Sequence, residues 1–251
     1  MKSPPWRGAV VPFAILVAAE IALLASGVRS DGLARPSEII VAMARAMASG
    51  ELLGASLQTL GCALAGLAIG AACGAALGFL LGLSLSAARV ARLSVELLRP
   101  VPPVALIPVA MLAFGLGFRM EIAIVAFTCF WPMLLLTEAA VQGVEPRLLE
   151  VARLLRLSRT TTVTEVVWPA AWPRIFVALR LSLGIALIVA VTTEVATNPI
   201  GLGYQMMRSQ QELQPATMYA FLAWLALLGW AINAGLARLQ ARMLPARGSA
   251  R

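Results

Sequence analysis

Apolar residues in this chain fall into long runs separated by short polar segments. The first run covers residues 9–28, and the segment from residue 52 to 88 carries no charged side chain. A helix that crosses a bilayer needs about 20 mostly apolar residues. Runs of this length therefore predict transmembrane helices. We place six of them, near residues 9–28, 57–85, 100–118, 119–138, 176–196 and 218–238.

Polar and proline-rich segments interrupt this pattern. In the polar segment 31–51, Pro36 and Ser37 suit the start of a short helix. Prolines crowd residues 100–108, at the start of the third predicted span. This predicts an irregular backbone there, which a membrane tolerates only against protein or a water-filled cavity. Glu20 lies inside the first span, and we interpret it as a carboxylate paired within the helix bundle, with a role in transport as the alternative.

Composition agrees with the pattern and defines the fold class. Hydrophobic residues make up 60% of the 251 residues and charged residues 13%, whereas soluble domains have about 45–50% and about 25%. These numbers exclude a soluble protein, a disordered protein and a small protein stabilised by disulfide bonds. We predict an all-α, polytopic membrane protein with a single transmembrane domain over residues 1–251.

The basic residues predict the orientation of the spans. The chain has 20 basic and 12 acidic residues, and basic residues concentrate in cytoplasmic loops. With the N-terminus in the cytoplasm, 14 basic residues are cytoplasmic, five are external, and Arg180 lies in the fifth span. We therefore predict that both termini are cytoplasmic. Since the charges lie between apolar runs, we interpret them as a signal of membrane orientation rather than as a nucleic-acid-binding site.

The residue inventory argues against catalysis. The chain has no histidine, which removes the commonest general base and metal ligand. Lys2 is the only lysine, and no G-x-S-x-G motif is present. We expect no catalytic residue and no metal ligand.

Glycine recurs every fourth residue in the second span. Glycines at this spacing let two helices approach backbone to backbone. The row predicts a packing face inside the bundle rather than a ligand site. It consists of Gly66, Gly70, Gly74, Gly78 and Gly82.

The longest predicted cytoplasmic loop, residues 139–175, has a helical pattern. Pro146 suits the first turn of a helix, and Ser158 is placed to cap a second one. We expect Pro169 and Pro173 to interrupt that second helix before the fifth span. Such an elbow suits docking of a soluble partner, although a loop lying on the membrane surface stays an alternative. Its predicted apolar face consists of Leu148, Leu149, Ala152 and Leu155.

From Glu150 the chain reads EVARLLRLSRTTTVTEVVWPAAWP, which resembles the EAA loop of bacterial ABC-importer permeases. That motif has Glu-Ala-Ala, three residues, Gly, nine residues and Ile-x-Leu-Pro. Arg156 stands at the glycine position and Trp168 at the leucine position. The positions that match in register are Glu150, Ala152, Val166 and Pro169.

Other stretches, among them RPVPPVALIPVAMLAFGLG and NPIGLGY, extend the resemblance over nearly the whole chain. They are similar to the branch that imports nitrate, sulfonates, taurine and thiamine-precursor pyrimidines. The resemblance implies a permease subunit in the bacterial inner membrane, for a small anionic or sulfur- or nitrogen-containing solute. It also implies a second permease copy, surrounding lipid, a periplasmic solute-binding protein and cytoplasmic ATPases that bind the ATP and Mg²⁺, so that this chain binds no cofactor.

In such permeases the EAA segment is the coupling helix, which inserts into a groove of the ATPase and drives alternating access. At Arg156, either the backbone stays right-handed or about 1 kcal/mol of strain is accepted. The residues that the resemblance assigns to coupling are Glu150, Val151, Ala152, Leu155, Arg156, Leu157, Ser158 and Pro169.

Polar residues near the outer end of the fifth span are candidates for the pore. Glu194 either faces the pore or has a structural partner, and both options stay open. Arg180 would suit an anion, but we interpret it as snorkelling to the inner membrane surface. An ion-coupled secondary transporter is the alternative function, and it would show inverted repeats or a discontinuous helix. The pore candidates are Thr192, Thr193, Glu194 and Asn198.

Overall fold

The structure, a computed structural model, describes residues 7–26 and 32–243. Over these ranges the chain forms helices joined by short connections, which confirms the all-α prediction. A 3₁₀-helix (Pro103–Leu106) precedes α5, and a π-helix (Val163–Val167) joins α8 to α9. The α-helices are α1 (Arg7–Ser26), α2 (Pro36–Ala48), α3 (Glu51–Gly82), α4 (Leu85–Leu98), α5 (Ile107–Phe114), α6 (Phe118–Gln142), α7 (Pro146–Leu154), α8 (Arg159–Thr162), α9 (Trp168–Ala196), α10 (Gly201–Gln211) and α11 (Pro215–Met243).

Four helical stretches of the described chain are long and apolar enough to cross a membrane. A fifth crossing results if the bent pair α4 and α5 counts as one span. The apolar part of α1, Ala14–Ala25, is shorter, and the predicted end of the first span at residue 28 lies outside the described residues. The count of six spans therefore stays a prediction. The four long stretches are Glu51–Gly82, Phe118–Gln142, Arg159–Gln211 and Pro215–Gln240.

Within the third predicted span, residues 100–118, the structure has no single long helix. α4 and the segment Pro103–Phe114 form a pair bent by 80°. α5 has only 8 residues, or about 12 Å of helix, whereas the hydrocarbon core is about 30 Å thick. The prolines account for the break, because Pro102 is extended at φ −65° and ψ 128° and proline cannot donate a helical hydrogen bond. The irregular backbone predicted from them is confirmed.

The predicted short helix is confirmed, and Glu20 is paired, although through exposed hydrogen bonds rather than inside the bundle. α2 begins at Pro36. The carboxylate of Glu20 accepts hydrogen bonds from the backbone N–H and the hydroxyl of Ser37, at 3.0 and 2.7 Å. Glu20 therefore anchors α1 to the first turn of α2.

The glycine row forms a close contact between α3 and α6. At Gly74 an added Cβ would collide with the backbone carbonyl of Phe130 in α6. The contact depends on the absence of side chains, as predicted. The other members of the row also face α6: Gly66, Gly70, Gly78 and Gly82.

α9 packs against both α3 and α6, while α11 is held more loosely. Of the most apolar stretch of α11, 11% is buried, against 44% for α6. The weaker packing of α11 leaves an open cleft between α9 and α11.

Candidate functional sites

The first candidate site is the loop between α6 and α9. α7 begins at Pro146, as predicted, but its apolar residues divide between two sides. Leu149 packs against the bundle core and Ala152 is only 2% exposed. The predicted face is therefore wrong in part, because its inner half is already covered by the bundle. The exposed α7 apolar face consists of Leu148, Val151, Leu154 and Leu155.

Arg156 ends α7 in a left-handed backbone conformation, with φ 51°. The N–H of Leu157 donates to the carbonyl of Ala152, and that of Arg156 to the carbonyl of Arg153, both at 3.0 Å. These two bonds form a Schellman motif, whose left-handed residue is usually glycine. An arginine there costs about 1–2 kcal/mol because of its Cβ. Of the two predicted alternatives the strained one forms, which also explains why the motif has glycine here.

The second helix of the loop starts where the sequence predicts. The Ser158 hydroxyl accepts a hydrogen bond from the N–H of Thr161 at 3.1 Å and caps α8. The predicted interruption by prolines is wrong: Pro169 lies in the first turn of α9 and Pro173 inside it. The chain stays helical from α8 through the π-helix Val163–Val167 into α9.

The second candidate site is an acid cluster of Thr59, Glu121, Glu194, Asn198 and the first turn of α10. The Glu194 side chain is 1% exposed. Its carboxylate accepts hydrogen bonds from the Thr59 hydroxyl and the N–H of Gly203, both at 2.7 Å. A carboxylate at the positive end of a helix is favourable. Glu194 therefore has a structural partner, while its role in a pore stays a prediction.

The other half of the cluster ties α6 to the segment before α10. The Asn198 side chain is fully buried and its amide donates to Glu121 at 2.7 Å, while the N–H of Gly117 donates to Asn198 at 2.8 Å. The other carboxylate oxygen of Glu121, Oε1, is buried without a hydrogen-bond partner. Sequence reasoning missed Glu121, although it is the only acid between residues 118 and 137.

The third candidate site is the cleft between α9 and α11, with a volume of about 400 Å³. Thr192 lines it, whereas Thr193 is buried and donates to the carbonyl of Val189. Arg180 also lines the cleft and donates to the side-chain carbonyls of Asn233 and Gln240, at 3.1 and 3.3 Å. Among the four pore candidates, Thr192 is therefore the one that lines this open space.

Comparison with known proteins identifies the family. Residues 66–247 match the family described as the inner membrane component of binding-protein-dependent transport systems. The chain belongs to this family. It is 30% identical over 243 residues to a protein of Bacillus subtilis named as an aliphatic sulfonates transport permease, SsuC, covering 97% of this chain and 88% of that one. It is 29% identical to the taurine transport system permease protein TauC of Escherichia coli, over 61% of this chain and 56% of that one.

A solved structure has the same fold. A chain from inward-facing structures of the MetNI methionine ABC transporter superposes with a TM-score of 0.68. The match covers 76% of this chain and 95% of that one, at 20% sequence identity. At this identity the likeness shows the fold alone.

Family membership decides between the two functions that the sequence left open. This protein is a permease subunit of an ABC importer and a multi-pass inner membrane protein, rather than an ion-coupled secondary transporter. Permeases of this family are not themselves enzymes. They work with an ATPase and a solute-binding protein.

Proposed function

We propose that two copies of this chain form the pore of an ATP-driven importer for small anionic solutes of the sulfonate, taurine or nitrate kind. The resemblance to that branch and the similarity to permeases named for aliphatic sulfonates and taurine support this solute class. Closed two-fold dimers are the commonest assembly of identical chains. A periplasmic binding protein delivers the solute, and ATP and Mg²⁺ bind to the cytoplasmic ATPases rather than to this chain.

The observation that carries the proposal is the exposed α7 apolar face. Leu154 is 83% exposed and Leu155 66% exposed. A contiguous apolar patch surrounded by charged residues is typical of a protein interface. Arg147, Glu150 and Arg153 are the exposed charges of α7 and surround this face. The face therefore suits an ATPase groove with an apolar floor and charged walls.

The orientation follows from the positive-inside rule. It places both termini and α7 in the cytoplasm and the acid cluster near the periplasmic surface. ATP-driven closure of the ATPase pair then pulls on α7, and α9 transmits the movement because the two are joined through helical segments.

Docking is tested by co-purifying the ATPase with Leu155→Asp in detergent. We expect at least a tenfold loss of bound ATPase, because the new charge lies in an apolar contact that is dry after docking. Thr160→Asp is the matched control, since it adds the same charge at an exposed position of the same loop. If the ATPase stays bound to Leu155→Asp as to the wild type, α7 is not the coupling site.

The solute class is tested by uptake into proteoliposomes that contain the permease, its ATPase and its binding protein. We expect ATP-dependent uptake of at least one probe among taurine, butanesulfonate and nitrate. Uptake of none of these three, with an ATPase that responds to the binding protein, would contradict the solute class and leave the coupling site intact.

A further inference from the structure

Arg180 lies in the inner half of the predicted span 176–196 on α9. At about 1.5 Å per residue, it is about 24 Å from Ala196 and about 6 Å from residue 176. An arginine inside a span usually faces the bundle interior or a water-filled cavity. The side chain of Arg180 is held at α11, because it donates hydrogen bonds to Asn233 and Gln240.

The guanidinium of Arg180 is oriented but not neutralised. It has five N–H donors, and the two recorded bonds go to the neutral side-chain carbonyls of Asn233 and Gln240. Within the described part of the chain, no carboxylate lies in ion-pair distance of it. Donors therefore remain for an anion, and the positive charge remains uncompensated.

The cleft beside Arg180 has the size and lining of a small-molecule site. Its volume of about 400 Å³ falls within the usual range of about 300–1,000 Å³. Most of its wall is apolar, which strengthens the field of a single charge. Its polar lining side chains are Arg180, Thr192 and Asn233.

We propose that this cleft is a binding site on the solute pathway and that Arg180 contacts the anionic group of the solute there. This inference rests on the proposed function and adds a binding residue to it. Asn233 and Gln240 hold the guanidinium of Arg180, which lines the cleft, its remaining donors bind the anionic group, and the apolar wall accepts the short carbon chain of a sulfonate. An anionic phospholipid in the same cleft is the competing occupant.

Charge-selective labelling tests the site without knowledge of the natural solute. Gly184 lines the cleft one turn above Arg180, and an added Cβ there meets no atom within 4 Å, so cysteine fits. Gly184→Cys is made in a chain whose three native cysteines are replaced by alanine. The assembled importer is treated with 2-sulfonatoethyl or 2-trimethylammonioethyl methanethiosulfonate. The matched control is Gly61→Cys, on α3 and also in open space. The native cysteines are Cys62, Cys73 and Cys129.

We expect the ratio of the anionic to the cationic reaction rate at Gly184→Cys to exceed the ratio at Gly61→Cys by at least about fivefold. Arg180→Gln abolishes this preference and Arg180→Lys retains it, whereas neither variant changes the ratio at Gly61→Cys. Asn233→Asp keeps the arginine but pairs it with a carboxylate, so it also abolishes the preference. This variant replaces Arg180→Gln if the latter does not assemble.

Two outcomes would overturn the inference. One is an absence of reaction with either reagent, as expected when lipid fills the cleft. The other is a preference that persists in Arg180→Gln and Asn233→Asp.

In the uptake assay, Arg180→Gln lowers the transport of the anionic probe at least tenfold, while Arg238→Gln, which changes an exposed arginine on α11, leaves it unchanged. If the wild type transports none of the three anions but the labelling preference holds, the solute class is wrong and the anion-attracting cleft is supported.

Discussion

The two segments that flank α9 differ in their contacts. In one, polar side chains find hydrogen-bond partners within the chain, and in the other, apolar side chains are left uncovered. After α9, the acid cluster buries Glu194 and Asn198 and gives each a hydrogen-bond partner. Before α9, the loop leaves Leu154 and Leu155 exposed. Glu194 and Asn198 thus have their partners within one chain, whereas we propose that the exposed leucines of the loop are covered by the ATPase. Substitutions in the acid cluster should therefore damage the permease itself, and substitutions in the loop should damage its assembly with the ATPase.

The largest effect is expected from a substitution in the contact between α3 and α6, which lies within one chain. Gly74→Leu places a side chain against the α6 backbone, where an added Cβ already collides with the Phe130 carbonyl. We expect a loss of about 3 kcal/mol in the free energy of unfolding, because overpacking forces the two helices apart. Thermal unfolding of the purified permease in detergent measures it. Gly61→Leu on the same helix lies in open space and should unfold like the wild type. Equal unfolding temperatures for the two variants would contradict the packing role.

A smaller effect is expected inside the acid cluster. Glu194→Gln leaves one oxygen to accept from two donors, the Thr59 hydroxyl and the N–H of Gly203. We expect a loss of about 1–3 kcal/mol, the cost of an unsatisfied buried donor.

The matched variant is Glu121→Gln. Its amide keeps an oxygen for Asn198 and removes a buried carboxylate whose other oxygen has no hydrogen-bond partner, so we expect it to be nearly neutral. Thermal unfolding compares the two variants, and a greater loss for Glu121→Gln than for Glu194→Gln would refute this description of the cluster. Uptake per folded complex is measured in parallel, and a rate equal to the wild type would remove Glu194 from the solute pathway.

The smallest expected effect concerns Arg156. Arg156→Gly relieves left-handed strain of about 1–2 kcal/mol but adds about 0.5–1 kcal/mol of backbone entropy to the unfolded chain. We expect a slightly more stable α7, measured by slower amide hydrogen exchange in the loop. Arg153→Gly, within the right-handed part of α7, should instead cost about 1 kcal/mol. Faster exchange in Arg156→Gly than in Arg153→Gly would contradict the strain.

Binding of an ATPase adapted to arginine should weaken in Arg156→Gly, because one charge is lost at the interface.

The sequence predicts those features that depend on residues close together in the chain. The glycine row, the start of α7 at Pro146 and the cap at Ser158 each follow from local spacing, and all three form. The pairing of Thr59 with Glu194 joins residues far apart in the chain and has no periodic signal. The inward turn of Leu149 and Ala152 also could not be predicted, since periodicity gives a helix an apolar side but does not say how much of it the bundle covers.

The π-helix at Val163–Val167 has a geometric consequence for the loop before it. A π-turn contains one residue more than an α-turn, and each residue of a helix turns the chain by about 100°. The additional residue therefore changes the angular position of α7 around the axis of α9. Deleting one residue from this segment would restore ordinary winding and swing the α7 apolar face by roughly a quarter of a circle. In the proposed function, these five residues therefore orient the face that the ATPase approaches.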